Sequence, residues 1–417
     1  VTIGNSVTSI DRYAFYGCSG LLSITLPDSL QTIGPRAFYR CEMLESLTIG
    51  SGLKEIPAYS FYNCSALKEV TVPGNVRNIG AYAFRNSPIR TVNIPSTTQS
   101  IGEYAFYECN SLAKMLLPES LKSLGQYVFY GCDRPGVEKG PEELRKNNLI
   151  DIFQENHNVY DLGDIEVEKA NAEDKFLSNS KLKYLDQVVN ANNNLATKVL
   201  EALENNTLPF IVGGDHSLAL GSIAGSSQFL GNDLAVIWID AHGDINTHET
   251  TPSGNIHGMP LAASMGIGYE KLTSIFFNNF KVKPENVFIL ACRDLDEGEI
   301  ELIDKLDINV WTNQDINDKG IDKVVKELLS LISSKNIKNI HLSYDIDCLD
   351  PEYVPGTGTP VSDGLSFSES KFLLEAILGT SLVKSIDFVE YNPDLDQNNR
   401  TKETCIELLK LISCNLK

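Results

Sequence analysis

The chain has 417 residues, 42% of them apolar, and a formal net charge of −20. Its length implies two or more domains, and its charge excludes nucleic acid as a partner, because polyphosphate would be repelled. No apolar run reaches the roughly eighteen residues needed to span a bilayer.

From the N-terminus the chain repeats itself. Phe15, Phe38, Phe61, Phe84, Phe106 and Phe129 fall 23, 23, 23, 22 and 23 residues apart, and Cys18, Cys41, Cys64, Ser87, Cys109 and Cys132 follow three residues after each. Short alternating stretches such as Leu21-Leu22-Ser23-Ile24-Thr25-Leu26-Pro27 read as strands, and a second apolar stretch ends in Ile-Gly at Ile33-Gly34, Ile79-Gly80 and Ile101-Gly102. A unit this small cannot bury its own apolar face, whereas stacked units share one core. Five of the nine cysteines lie in this register, so they read as buried thiols rather than a disulfide framework. Residues 1–133 resemble BspA-like leucine-rich repeats, a solenoid whose surface usually binds a protein partner. The chain opens at Val1 inside a repeat motif, which reads as a fragment.

From Arg134 the period is gone. Helical patterns at Lys181 to Asn205 and Ile321 to Ser334 alternate with apolar runs at Phe210–Val212, Ala235–Ile239, Val287–Leu290, Ile340–Leu342 and Ile386–Val389. This alternation predicts an α/β domain over 134–417, a mainly parallel sheet flanked by helices. Sites in such sheets form at the carboxyl ends of the strands.

The chemically loaded residues fall there. After the first run comes Gly213-Gly214-Asp215-His216-Ser217. After the second comes Asp240-Ala241-His242-Gly243-Asp244-Ile245-Asn246, and after Ile340–Leu342 comes Ser343-Tyr344-Asp345-Ile346-Asp347. A spacing of two in extended backbone sends side chains to one side. His216, Asp240, His242, Asp244, Asp345 and Asp347 therefore converge. Four carboxylates so placed repel unless concentrated positive charge lies among them. Imidazole and carboxylate without thiolate favour two Mn²⁺ ions over structural zinc. Such a pair lowers the pKa of a shared water enough to give hydroxide, a nucleophile for an unreactive guanidinium carbon.

The strings GGDHS, DAHGDIN, SGNIHGMPLA, SYDIDCLDP, GTGTPVSDGLSF and DFVEYNP resemble, in order and spacing, the arginase family of ureohydrolases. The resemblance implies hydrolysis of L-arginine to L-ornithine and urea. It implies that Asp240 and Asp345 bridge the ions, that His216 and Asp244 complete one shell, and that His242 and Asp347 complete the other. It also implies that His257 shuttles a proton and that Glu390 receives the guanidinium; Asp244 stands with these two as catalytic. Asn246 and Ser253, with Asn255 beside them, match the family's carboxylate binders, and Asp296 and Glu299 its amino-group side. A site built for both groups penalises agmatine, which lacks the carboxylate. His157, His248 and His341 match no family site and read as structural or surface residues. Cys348 departs from the small residue usual beside Asp347.

Arginases begin with a strand that is missing here, and the repeats abut Arg134 without a linker. Residues 121–133 are alternating and apolar, and Gly125 and Gly131 suit a substitute for that strand. The alternative readings are an agmatinase or related ureohydrolase, or a non-catalytic interaction protein whose repeats carry a truncated arginase domain. The family further implies a homo-oligomer, commonly a trimer, in the cytoplasm, whereas repeats of this kind often lie on cell surfaces.

Overall fold

The computed structural model describes residues 1, 3–107, 109, 112, 118, 120–124, 136–168 and 175–416. The chain divides into two compact units, Val1–Pro135 and Gly136–Lys417. Among the described residues, no helix is long and apolar enough to cross a membrane.

In the first unit the repeats contribute short strands to parallel ladders, and Ser9–Ile10 pairs separately with Thr32–Ile33. One ladder runs Ser23–Thr25, Ser46–Thr48, Glu69–Thr71 and Thr91–Asn93, and another runs Glu55–Ile56, Asn78–Ile79, Ser100–Ile101 and Ser123–Leu124. Three residues give one inward side chain, so Ile24, Leu47 and Val70 are buried between exposed neighbours. The phenylalanines stack inside: Phe15, Phe38, Phe61, Phe84 and Phe106 lie 4.9, 5.2, 5.4 and 5.2 Å apart, their rings nearly parallel. The residue three places later caps the carbonyl of the preceding repeat's phenylalanine. Cys41 Sγ donates to Phe15 O, Cys64 Sγ to Phe38 O, Ser87 Oγ to Phe61 O and Cys109 Sγ to Phe84 O. A hydroxyl does the same work as a thiol there, which explains Ser87 in a cysteine register. The Ile-Gly pair has a steric cause, since a Cβ on Gly34 would lie 2.3 Å from Arg12 N. The described cysteines are all free; Phe129 and Cys132 lie outside the described residues.

The second unit holds a six-stranded parallel sheet. Its strands are β1 (Phe210–Val212), β2 (Leu234–Ile239), β3 (Val287–Cys292), β4 (Asn309–Thr312), β5 (Asn339–Asp345) and β6 (Val383–Val389), in the order β1-β6-β5-β2-β3-β4. Both faces are covered. On β2, Ala235, Ile237 and Ile239 pack into one core while Leu234, Val236 and Trp238 pack into another. That is why these strands read as unbroken apolar runs. The helices include α1 (Leu185–Glu204), α2 (Ala219–Leu230), α3 (Glu297–Leu306) and α4 (Ile321–Ser334).

Two expectations need adjusting. The strand β4 had no signal, because it is an edge strand whose apolar content is only Val310 and Trp311. Of the segment 121–133 expected to replace a missing first strand, Ser123–Leu124 pairs instead with Ser100–Ile101 of the repeats, and residues 125–133 lie outside the described residues. Among the described residues β1 pairs with β6 alone.

Candidate metal centre and active site

Because all six strands are parallel, their carboxyl ends share one edge, and the loops after β1, β2, β3, β5 and β6 meet there. His216 follows β1, Asp240 follows β2, Asp345 ends β5 and Glu390 follows β6. His216 Nδ1 lies 2.9 Å from Asp240 Oδ2, 3.2 Å from Asp244 Oδ2 and 3.2 Å from Asp345 Oδ2. His242 Nδ1 lies 3.3 Å from both Asp240 Oδ1 and Asp347 Oδ2. Two ligand groups result, His216 with Asp240 and Asp345, and Asp240 with His242 and Asp347. The Asp240 carboxylate is common to both, one oxygen facing each.

Orientation comes from beneath. Trp238 stacks on the His216 ring at 3.8 Å, and its Nε1 donates to Asp240 Oδ2. His216 Nε2 meets Ser343 Oγ at 2.8 Å, which turns Nδ1 towards the carboxylates. That Nδ1 is buried and, for all its near oxygens, aligned with none of them for a hydrogen bond. A ring nitrogen aimed between three carboxylate oxygens is the arrangement a cation requires. Ala241 N–H and Thr359 Oγ1 donate to Asp347. Burial disfavours imidazolium at His216 and His242, yet the facing carboxylates more than offset it and raise both well above the usual histidine range. Burial, with the Asp347 and Asp240 charges, holds Asp345 well above the usual carboxylate range. The site therefore favours positive charge, and its two ligand groups fit divalent metal.

Glu390 stands over this centre in left-handed backbone, φ 68°, as does Asp244 at φ 48°. Non-glycine residues held there store of order 1–3 kcal/mol each and cluster at functional sites. Glu390 Oε1 accepts the backbone N–H of His216 at 3.0 Å. Burial pushes its carboxyl up to about 8, against the pull of His257.

His257 sits in the turn Ile256–Gly258, its Nδ1 3.8 Å from Asp215 Oδ2. Burial pulls its pKa down, but Asp215, helped by Glu390 and Asp244, lifts it to about 9. The turn is set by Gly254 at φ +73°, where a Cβ would strike Lys181 O at 2.1 Å.

The expected substrate-side residues divide. Asn246 and Asp296 are brought together, Asn246 Nδ2 donating to Asp296 Oδ2 at 2.8 Å. Ser253 Oγ accepts the Asn255 N–H, so these two are paired locally. Glu299 is 4% exposed, and its two oxygens accept the N–H groups of Ile245 and Asp296. Burial pushes it up to about 8. It therefore braces the loop carrying Asn246 and the cap of α3 instead of pointing into open space.

Several site residues escaped the sequence reading: Asp215, Ser343, Thr359, Asp387 and Arg293. The signal for Ser343 was present, since His341, Ser343 and Asp345 alternate along one face of an otherwise apolar strand. His341, read as structural or surface, is fully buried and bonded to Ser385 Oγ at 2.7 Å and Asp387 Oδ2 at 2.9 Å.

Comparison with known proteins finds relatives of both units. The model of the arginase family matches residues 128–414, and that of the BspA type leucine rich repeat region matches residues 1–110 in six copies. The arginase of Bacillus subtilis is 46% identical over 228 residues, covering 55% of this chain and 76% of that protein. Its crystal structure superposes with a TM-score of 0.62 at 42% identity, covering 67% of this chain and 93% of that one. An Entamoeba histolytica arginase in complex with L-ornithine gives a TM-score of 0.63 at 32% identity, covering 68% and 94%. With that family match over most of its length, and with strand-end ligand groups suited to the family's metal dependence, the chain belongs to the arginase family.

Proposed function

We propose that the second unit hydrolyses L-arginine to L-ornithine and urea at a centre of two Mn²⁺ ions. The observation that carries this reading is the paired ligand set around Asp240: two imidazoles facing four carboxylates, with His216 Nδ1 buried and unaligned to any hydrogen-bond acceptor. His216, Asp240, Asp244 and Asp345 would hold one ion, and Asp240, His242, Asp345 and Asp347 the other. Bound there, the ions would supply Lewis acidity and lower the pKa of water to near neutrality.

The remaining steps belong to side chains. Glu390, fixed by the His216 N–H, receives the guanidinium fork bidentately and sets its carbon over the centre. His257, raised by Asp215, is protonated near neutral pH and delivers a proton to the departing nitrogen. Asn246 and Ser253, with Asn255, receive the α-carboxylate, and Asp296 receives the α-amino group. Glu299 serves that subsite indirectly, by holding the Asp296 backbone and the Asn246 loop. Agmatine offers no carboxylate, so polar groups would be left unpaired.

The experiment is urea release by the full chain after Mn²⁺ loading, with L-arginine and agmatine in parallel. Urea from arginine, and at least about a hundredfold less from agmatine, is the expected result. Equal turnover of both would remove the substrate assignment; no urea from either, in soluble metal-loaded protein, would remove the enzymatic one.

A further inference from the structure

The repeat unit carries a surface unrelated to the metal centre. Between the isoleucine that ends each short strand (Ile10, Ile33, Ile56, Ile79 and Ile101) and the following Cys or Ser, the chain makes the same outward turn. Tyr13, Arg36, Tyr59, Tyr82 and Tyr104 occupy its left-handed position, with φ between 54° and 64°. The tyrosines stack from repeat to repeat. Tyr16, Tyr39 and Tyr62 lie 5.3 and 4.6 Å apart, and Tyr59, Tyr82 and Tyr104 lie 4.6 and 4.8 Å apart. Guanidinium groups lie over these rings: Arg12 at 4.7 Å from Tyr13, Arg36 at 4.3 Å from Tyr59, Arg40 at 5.8 Å from Tyr39 and Arg85 at 4.3 Å from Tyr107.

Among the described residues none of these four arginines joins an ion pair, and Arg85 Nε is buried without a hydrogen-bond partner. Residues 1–110 hold eight Lys and Arg and eight Asp and Glu, so the chain's whole net charge of −20 lies beyond them. Four of the eight cations lie on this one ridge, against the acidic Asp11 and Glu103 in the same turns.

We infer that the ridge is a docking surface for an acidic, Asp/Glu-rich segment of a protein partner. The ring faces are taken up by one another, so neither a sugar face nor a nucleobase can stack on them. What points outward is a row of ring edges, hydroxyls and guanidinium N–H groups. Tyrosine and arginine in that arrangement are the residues that anchor protein interfaces, and guanidinium over an aromatic ring pairs well with carboxylate. Elsewhere the molecule repels polyanions, so their binding isolates this ridge.

The test uses the metal-loaded full chain and fluorescent poly-L-glutamate at low ionic strength, read by anisotropy. Saturable binding is expected, weakened about tenfold or more in an Arg36→Gln/Arg40→Gln/Arg85→Gln variant. A control variant, Lys54→Gln/Lys68→Gln/Arg77→Gln, removes the same charge elsewhere in the repeats and is expected to stay within about twofold. An Arg→Lys version of the ridge triple keeps charge and guards against misfolding, with melting temperature checked for all. Absence of saturable binding, equal weakening by both Gln triples, or an unfolded Gln triple together with a folded Lys triple that fails to bind polyglutamate, overturns the inference. So does a uronic-acid polysaccharide binding more tightly than polyglutamate at matched charge, which would assign the ridge to glycans.

Discussion

His341 Nε2 lies 2.9 Å from Asp387 Oδ2, with both side chains fully buried. The pair continues to the candidate metal centre: Ser343 Oγ reaches Asp387 Oδ2 at 3.4 Å and His216 Nε2 at 2.8 Å, while Ser222 Oγ donates to the same Asp387 oxygen at 2.6 Å. A buried carboxylate thus holds, through one hydroxyl, the ring whose other nitrogen faces the carboxylates.

Asp387→Asn should therefore loosen the metal more than it unfolds the chain. Partners behind a metal-bound histidine are worth about 10–100-fold in affinity. Metal content after dialysis against limiting Mn²⁺ is the measurement, and wild-type stoichiometry in the variant would contradict the arrangement.

Arg293 inserts its guanidinium among backbone carbonyls. It donates to Asp347 O at 2.8 Å, Val361 O at 2.7 Å, Ser362 O at 3.1 Å, Cys348 O and Leu349 O at 3.2 Å and Ala291 O at 3.3 Å. These acceptors come from the end of β3, from the segment carrying Asp347, and from the loop that also brings Thr359 to Asp347. Lysine has three donors and no fork, so Arg293→Lys should cost about 2–3 kcal/mol and lower kcat/KM for arginine. A melting temperature and a rate both equal to wild type would rule this out.

The Asp215–His257 contact makes a pH-dependent claim. The folded-state pKa of His257 is raised to about 9, above the unfolded value of about 6.5. Its stabilisation of the metal-free chain is then fully present below about pH 6.5 and lost as pH rises through 9. Asp215→Asn should bring the imidazole resonance, followed by NMR, down towards its ordinary value. It should also erase the stability difference from wild type at high pH but not at pH 6. A pH-independent difference would show that Asp215 acts otherwise.

Metal removal should lower stability by mass action. A ligand at a hundred times its Kd adds about 2.7 kcal/mol, so chelation is expected to lower the melting transition and Mn²⁺ to restore it. In Asp240→Asn, which alters the carboxylate common to both ligand groups, Mn²⁺ should restore little. Full recovery would place the ions elsewhere.

In the repeats, Phe61 is fully buried between Phe38 and Phe84, at 5.2 and 5.4 Å. Phe61→Ala should destabilise by about 3–5 kcal/mol, whereas Ser87→Cys, which restores the repeat residue, should change little. Calorimetry of the two variants separates a packed ladder from a loose one.

By itself the sequence determined the repeats, because a 22–23-residue period with one inward side chain per short strand leaves a direct imprint. It also placed the ligand candidates, because parallel strands covered on both faces read as apolar runs whose ends are marked by the first polar residues. Only the tertiary structure decided which partners stand behind those ligands. His341 and Asp387 lie 46 residues apart, and Arg293 joins carbonyls 54 to 69 positions away. No local pattern encodes such meetings, because they arise from strand order and register. The edge strand β4 and the bracing role of Glu299 were hidden for the same reason. A side chain's chemistry can be read in sequence, but whether its oxygens are free or already bound depends on what folds against them.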